Sequence, residues 1–93
     1  MMQDRKNNKN LIPHERLSID YDEKFDVLYI SIDEPKPSYG EEDYEGIIIR
    51  RNLENDDITG VTIIDYRKRN KDIIKTYLPF ILDFDYVDRN ITN

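Results

Sequence analysis

The alternation of apolar and polar residues is the feature that most constrains how this chain folds. Leu17 to Asp22 alternates strictly, with apolar residues at 17, 19 and 21 and polar residues between them. A period of two is typical of a strand with one buried and one hydrated face. The β-branched content of Val27 to Ile32, Gly46 to Arg51 and Ile58 to Asp65 predicts three further strands. Because a parallel crossover needs about a dozen residues, the short gaps between these segments predict antiparallel hairpins.

The composition also favours a sheet. Ile, Val, Tyr and Phe make up 27 of the 35 apolar residues, and Ala, the best helix former, is absent. A length of 93 residues predicts one small domain with a thin core. Residues 1–12 are polar and rich in Asn and Lys, so we expect a flexible N-terminal tail followed by a single domain over residues 13–93.

One short helix is predicted near the C-terminus. Asn70 is a good N-cap, Asp72 falls in the first turn, and Pro79 ends the helix at about Leu78. The apolar stripe of this helix is Ile73, Ile74, Tyr77 and Leu78. The alternation within residues 80–87 predicts a return as a fifth strand, whereas residues 38–45 are expected to form either a short edge strand or a loop.

These elements predict an α+β fold: a small antiparallel β-meander of four to five strands with one short C-terminal helix packed on one face. A sheet with one apolar face has to bury that face against a second layer. The predicted core therefore combines the helix stripe with inward strand residues, namely Leu28, Ile30, Ile32, Ile47, Ile49, Val61 and Ile63.

The net charge of −6 is unevenly distributed. Residues 17–49 alone hold ten acidic and two basic side chains. An acidic domain repels the phosphates of nucleic acid, so we expect no direct nucleic-acid binding. The local exceptions are Arg50-Arg51 and the basic run from Arg67 to Lys71, which we interpret as solvated charge at strand ends and in loops.

The acidic stretch from Asp33 to Glu45 is the most distinctive surface feature of the sequence. Complementary charge raises the rate and selectivity of association, so this stretch is the candidate site for a basic protein partner. The candidate residues are Asp33, Glu34, Glu41, Glu42, Asp43 and Glu45. The alternative is a loop that only keeps the protein soluble.

Other carboxylates are candidates for catalytic or metal-binding groups. Asp22 and Asp26 flank the first hairpin turn, where we expect them to cap turn amides rather than to perform acid–base chemistry. The group Asn52, Glu54, Asp56 and Asp57 lacks the glycine and the distal glutamate of an EF-hand, and we expect a solvated turn there and at Asp83, Asp85 and Asp88. We therefore predict no catalytic residues, no metal and no cofactor.

The remaining candidates are one histidine and three tyrosines. With no Cys and one His, a zinc site of nitrogen and sulfur ligands is not available. His14 has no nucleophile at any motif spacing and is expected at the surface. Tyr29, Tyr39 and Tyr44 could stack on bases, but the neighbouring acidic run opposes nucleic acid, so we expect cross-strand packing partners.

The span from about residue 17 to 65 resembles a small bacterial and archaeal family, domain of unknown function 2283. Four segments carry the resemblance: Tyr21-Asp22, Asp26-Val27-Leu28-Tyr29-Ile30, Gly46-Ile47-Ile48-Ile49 and Ile58-Thr59-Gly60-Val61-Thr62-Ile63-Ile64-Asp65. Glu23 and Thr62 depart from the family pattern, which often has proline and glutamate there. The resemblance implies a small β-rich domain without an assigned activity, and gene neighbourhoods of toxin–antitoxin type.

Small size, acidity and the resemblance together predict a non-enzymatic protein-binding module, an antitoxin-like partner of a basic protein. Two alternatives stay open: a metal-dependent enzyme using Asp20, Asp22 and Asp26, and a structural homodimer. Residues 1–10 have no apolar stretch behind their charges, and no apolar run approaches the ~20 residues that span a bilayer. We therefore expect no signal peptide, no membrane partner and a cytoplasmic location.

Overall fold

The computed structural model describes residues 9–91, which form an α+β fold of one five-stranded antiparallel sheet and two helices. The strands are β1 (Leu17–Asp22), β2 (Val27–Ile32), β3 (Ser38–Tyr44), β4 (Ile47–Asn52) and β5 (Ile58–Ile64). The helices are α1 (Lys71–Tyr77) and α2 (Phe84–Ile91), and short 3-10 turns lie at His14–Arg16 and Tyr66–Lys68. Neither helix has the length and apolar character needed to cross a bilayer.

The strand order is β1-β2-β5-β4-β3, and every neighbouring pair is antiparallel. Strands β3, β4 and β5 form a meander, but β5 also pairs with β2, so the order is not strictly sequential. The connection between β2 and β3 therefore passes two strands to reach the far edge. Its five residues can span that distance, since an extended chain covers roughly 3.3–3.6 Å per residue. The acidic segment 38–45 is thus largely a strand.

The predicted strand over residues 80–87 is wrong, because a second helix begins within it. Asp83 Oδ1 accepts hydrogen bonds from the backbone N–H groups of Asp85 and Tyr86, as an N-cap does. Phe84 and Val87 are buried on the inner side of α2. The buried residues are thus three apart, as in a helix, and not two apart as in a strand. The preceding segment contributes a single parallel bridge, from Ile81 to Leu11.

The hydrophobic core lies between the sheet and the helices. All seven predicted strand residues are buried there, and so are Ile74 and Leu78 of the helix stripe. Ile73 and Tyr77 were expected in the core but are 40% and 38% exposed. The reason is geometric: α1 has two turns, and the row of residues 74 and 78 contacts the sheet while the adjacent row of 73 and 77 lies at the side.

The segment just before residue 13 pairs with the segment before α2. Ile81 N donates to Asn10 O at 2.9 Å, and Ile12 N donates to Ile81 O at 3.1 Å. Ile12 is buried in the core, although residues 3–10 before Leu11 are polar. Residues 1–8 of the predicted tail lie outside the described residues.

The sheet has two unequal faces. Its inward side chains and the buried residues of both helices belong to one cluster. No helix or strand of residues 9–91 packs on the opposite face, which we call the open face. Its outward residues are Ser18, Asp20, Asp22, Val27, Tyr29, Ser31, Ser38, Gly40, Glu42, Ile48, Arg50, Asn52, Gly60, Thr62 and Ile64.

Candidate binding surface

The structure divides the acidic stretch between a loop and the edge strand β3. Asp33 and Glu34 lie in the loop after β2, Glu41, Glu42 and Asp43 lie on β3, and Glu45 lies in the turn before β4. Six of the seven residues of β3 are exposed. The predicted partner-binding residues therefore lie on the edge strand, in the turn after it and in the loop after β2, rather than in one continuous loop.

Asp33 is bound within the protein by a two-point ion pair with Arg16. Arg16 Nε donates to Asp33 Oδ1 at 2.9 Å, and Arg16 Nη2 donates to Oδ2 at 2.7 Å. The hydrogen bond from Arg16 lowers the pKa of Asp33 below its ordinary value. The ion pair lies at the open end of the β1–β2 hairpin, next to the paired residues Leu17 and Ile32. Asp33 therefore helps to hold the two strands of this hairpin together.

Two carboxylates on β3 also have partners. Glu41 Oε1 accepts from Arg51 Nε at 2.8 Å across the β3–β4 pair. Glu42 Oε2 accepts from the backbone N–H of Gly46 at 2.7 Å and closes the hairpin turn, where Gly46 has a positive φ of 83°. Both side chains therefore stabilise the β3–β4 hairpin and also contribute negative charge to its surface.

The other three candidates are exposed carboxylates that make no hydrogen bond or ion pair with residues 9–91. They are Glu34, Asp43 and Glu45. Asp43 lies at a β-bulge, where the register between β3 and β4 shifts. Asp43 and Glu45 thus place two charges at the turn end of β3 that are free to contact a cation outside the domain.

The three tyrosines that could form a stacking platform are separated. Tyr39 OH donates to Asp56 Oδ1 at 2.7 Å, and the ring of Tyr44 stacks on Tyr77 with centroids 4.4 Å apart. Tyr29 lies on the open face. Tyr39 and Tyr44 therefore attach the edge strand to a turn and to α1, contacts that differ from the cross-strand packing expected from the sequence.

The aspartates at the first hairpin turn bind backbone groups. Asp22 Oδ1 accepts from Phe25 N at 3.1 Å. Asp26 has a positive φ of 58°, and its carboxylate accepts from Tyr21 OH at 2.7 Å and from Arg67 N at 3.0 Å. These bonds join the turn to the segment after β5.

The turn predicted at residues 52–57 has local side-chain to backbone bonds, whereas the one predicted at Asp83, Asp85 and Asp88 is wrong, because Asp83 caps α2 and the other two lie in that helix. Asn52 Oδ1 accepts from Glu54 N at 2.7 Å, and Asn55 Oδ1 accepts from Asp57 N at 3.0 Å. No three His, Cys, Asp or Glu side chains of residues 9–91 form a group that could hold a metal ion. In this part of the chain, Asp20, Asp22 and Asp26 do not converge on one point.

His14, which the sequence predicts only to lie at the surface, contacts two residues at the start of α2. Its ring stacks on Tyr86 with centroids 3.8 Å apart, and Nε2 lies 3.2 Å from Asp83 Oδ2. The pKa of Asp83 is lowered, mainly by the hydrogen bond from the backbone of Tyr86. His14 therefore attaches the segment before β1 to the start of α2.

Sequence reasoning also missed Tyr66, a polar contact point inside the core. Tyr66 is 1% exposed, and its hydroxyl donates to Asp88 Oδ1 at 2.6 Å. Burial and the bond to Asp88 raise the pKa of Tyr66. Lys71 Nζ lies 3.3 Å from Asp88 Oδ2, so the start of α1 is linked to α2 through this group. No periodicity marks Tyr66, since it lies in a short 3-10 turn.

The basic clusters are largely occupied by contacts within the domain. Arg51 binds Glu41, and the Arg67 guanidinium lies 4.9 Å from the ring centroid of Tyr21. Arg69 Nε donates to Ile64 O at 2.6 Å. These cations therefore support strand ends and loops through contacts within the domain, instead of being only solvated charge as expected.

Comparisons with protein-family models, with curated proteins and with solved structures find no match for this chain. The resemblance to domain of unknown function 2283 therefore stays a prediction.

Proposed function

We propose that this chain is a protein-binding module that takes an extended, basic segment of a partner protein onto the outer edge of β3. The observation that carries the proposal is the position of β3, which is the last strand of the sheet and exposed along its length. No strand of residues 9–91 pairs with its outer edge.

An edge strand offers backbone groups as well as side chains. Along such a strand, alternate N–H and C=O groups point away from the sheet, and an added strand can pair with them. The bulge at Asp43 interrupts this pattern at the turn end. Ser38 to Glu42 form five regular residues, which is close to the length of an ordinary strand.

The charge of the edge selects among partners. A second copy of β3 would place Glu41, Glu42 and Asp43 beside the same carboxylates, and like charges on neighbouring strands destabilise pairing. A basic strand meets the opposite situation, because the free carboxylates of Asp43 and Glu45 attract Lys or Arg. The charge therefore supports a basic partner and opposes self-association through this edge.

The test uses a nine-residue peptide that alternates Lys with Val or Thr, and a matched peptide with Glu in place of Lys. We expect the Lys peptide to shift the amide resonances of Ser38–Glu42 and to slow their hydrogen exchange. Binding should weaken as salt rises, since screening acts over about 8 Å at physiological ionic strength. Equal binding of both peptides, or no binding of either, would contradict the proposal.

A pair of protein variants separates the edge charge from total charge. Asp43→Lys with Glu45→Lys reverses two carboxylates that hold no described contact, so the fold should survive. Glu15→Lys with Glu23→Lys makes the same change of charge away from β3, before β1 and in the β1–β2 turn. Only the first variant should weaken binding of the Lys peptide, by about tenfold. An equal loss in both variants would mean that net charge, not this edge, attracts the peptide.

A further inference from the structure

The open face of the sheet departs from the pattern of a hydrated face. An antiparallel sheet with one wet side usually carries polar residues on that side. The outward residues of β1 and β3 follow this rule, but the three inner strands hold an apolar strip, defined as Val27, Tyr29, Ile48, Thr62 and Ile64. Tyr29 and Ile64 in this strip are 39% and 37% exposed.

The strip has an acidic residue on each flank, in register with its centre. Asp20 pairs with Tyr29, Tyr29 with Thr62, Thr62 with Ile48, and Ile48 with Glu42. This cross-strand row therefore has an acidic residue at each end and three apolar or β-branched residues between them. Neighbouring strands lie about 4.8 Å apart, so its two carboxylate-bearing positions are about 19 Å apart.

The basic residues of this face lie near the ends of the strip instead of its flanks. Arg50 is in the next row, opposite Gly60, and donates to the carbonyl oxygens of Ile30 and Val61. Arg69 lies beside Gly46 and donates to the carbonyl oxygen of Ile64. Negative charge thus borders the strip across the strands, and positive charge borders it along them.

We infer that the open face is a docking surface for an amphipathic helix of a partner protein, one whose apolar stripe is flanked on both sides by Lys or Arg. An α-helix with its side chains is about 10–12 Å across, which leaves about 4 Å on each side within the 19 Å row. Lysines on the flanks of such a helix reach Asp20 and Glu42 while its apolar stripe covers Tyr29, Thr62 and Ile48.

The arrangement of charge also fixes the direction of the helix. A helix lying along the strands places its cationic flanks over the acidic sides of the strip. A helix lying across them would bring the same cations over Arg50 and Arg69. The axis is therefore parallel to the strands, and the partner forms a third layer on the sheet.

A second copy of this chain is a poorer occupant of the same face. Two sheets that pack face to face keep their strands nearly aligned. The row ends in a carboxylate on both sides, so either face-to-face alignment brings Asp20 and Glu42 of one copy close to carboxylates of the other. Charge complementarity therefore selects a basic helix over a homodimer. This inference does not depend on strand addition at β3.

The probe for this docking surface is a stapled 14-residue helical peptide with a Leu stripe and Lys on both flanks, compared with the same peptide carrying Glu on its flanks. We expect the Lys peptide to shift the amide resonances of Tyr29, Ile48 and Thr62. The Glu peptide should leave them unchanged. The inference is overturned if neither peptide shifts them at about 1 mM, if both bind equally, or if light scattering gives a dimer that the peptide does not dissociate.

Two variants test the flanks and the centre separately. Asp20→Asn with Glu42→Gln removes both charges and keeps an acceptor for Gly46 N, and it should weaken binding about two- to tenfold. Glu15→Gln with Glu54→Gln is the matched control and should change nothing. Thr62→Lys places a cation in the middle of the strip and should abolish binding. Unchanged binding in Thr62→Lys, with the fold retained by circular dichroism, overturns the inference.

The two binding proposals fail independently. Asp43→Lys with Glu45→Lys should leave binding of the helical Lys peptide within twofold, although it weakens the extended peptide. Perturbation of β3 amides by the helical peptide, with none on the open face, would overturn this inference and leave strand addition in place.

Discussion

The guanidinium of Arg50 lies over the α-carbon of Gly60, in the space that a side chain at residue 60 would occupy. Its Nη2 donates to the carbonyl oxygens of Ile30 and Val61 and lies 3.4 Å from Ser31 Oγ. Burial lowers the pKa of Arg50, and its Nε has no partner among the described residues. Glycine at this position therefore allows an arginine to lie flat against the sheet.

Substitution of this glycine should displace the arginine. A Cβ at residue 60 would meet both the Arg50 guanidinium and the carbonyl oxygen of Ile30 at less than contact distance. We expect Gly60→Ala to lower the free energy of unfolding by about 1–3 kcal/mol, the usual range for overpacking. Gly40→Ala is the control, because its Cβ would approach only the Ile48 side chain, at 2.8 Å. Urea denaturation that gives equal losses in both variants would contradict this account.

Neighbouring isoleucines in α1 should respond very differently to truncation. Ile74 is fully buried in the core, whereas Ile73 is 40% exposed. We expect Ile74→Ala to cost about 2–5 kcal/mol of stability, since it leaves a cavity. The cost of Ile73→Ala should be far smaller, mainly a small part of its apolar contact area. Equal losses in thermal or urea denaturation would place the inner face of α1 between the two residues.

Strand positions were predictable because their pattern is local. β1 and β2 have the predicted limits, and every predicted inward strand residue is buried, since alternation reports directly which side chains share a face. The prediction for segment 80–87 failed because its apolar residues also include a pair at a helical spacing of three, Phe84 and Val87. The N-cap at Asp83 favours the helix. In a chain with many acidic residues, one aspartate is a weak indication of a helix start.

The binding surfaces were harder to predict because they depend on strand order. The sequence placed Tyr29 and Ile48 on strands but did not show that Thr62 lies between them or that Asp20 and Glu42 end the same row. That arrangement requires β5 to insert between β2 and β4. A partial indication was present in Ile47-Ile48-Ile49, because three successive apolar residues in a strand put at least one on each face.

Loss of the N-cap of α1 should weaken the attachment of this short helix. Asn70 Oδ1 accepts from Asp72 N at 2.7 Å and from Ile73 N at 3.3 Å. We expect Asn70→Ala to cost about 1 kcal/mol of stability, and Asn70→Ser to restore most of it, since serine is also a good N-cap. Amide hydrogen exchange in residues 71–74 is the direct measurement. Exchange rates unchanged in Asn70→Ala would show that the cap contributes nothing.

Two aspartates have lowered pKa values for different reasons, and substitution should separate them. The largest cause at Asp33 is the side-chain hydrogen bond from Arg16, whereas at Asp83 it is the backbone N–H of Tyr86. In Arg16→Gln, the pKa of Asp33 should therefore rise toward the ordinary value of about 3.9. In His14→Phe, which keeps a ring against Tyr86, most of the lowering at Asp83 should remain. Side-chain carboxyl carbon resonances followed by NMR from pH 2 to 6 give both pKa values.

The same shifts set the direction in which acid acts on stability. A carboxyl whose pKa is lower in the folded than in the unfolded protein binds fewer protons when folded, so it stabilises the fold above about pH 4. This contribution is lost as the pH falls through the folded-state pKa. Arg16→Gln should therefore reduce the drop in stability between pH 5 and 2, whereas His14→Phe should retain most of the part that comes from Asp83. An acid limb of the stability curve that is equally steep in the wild type and in Arg16→Gln would show that the Arg16–Asp33 pair contributes nothing to the acid sensitivity of the fold.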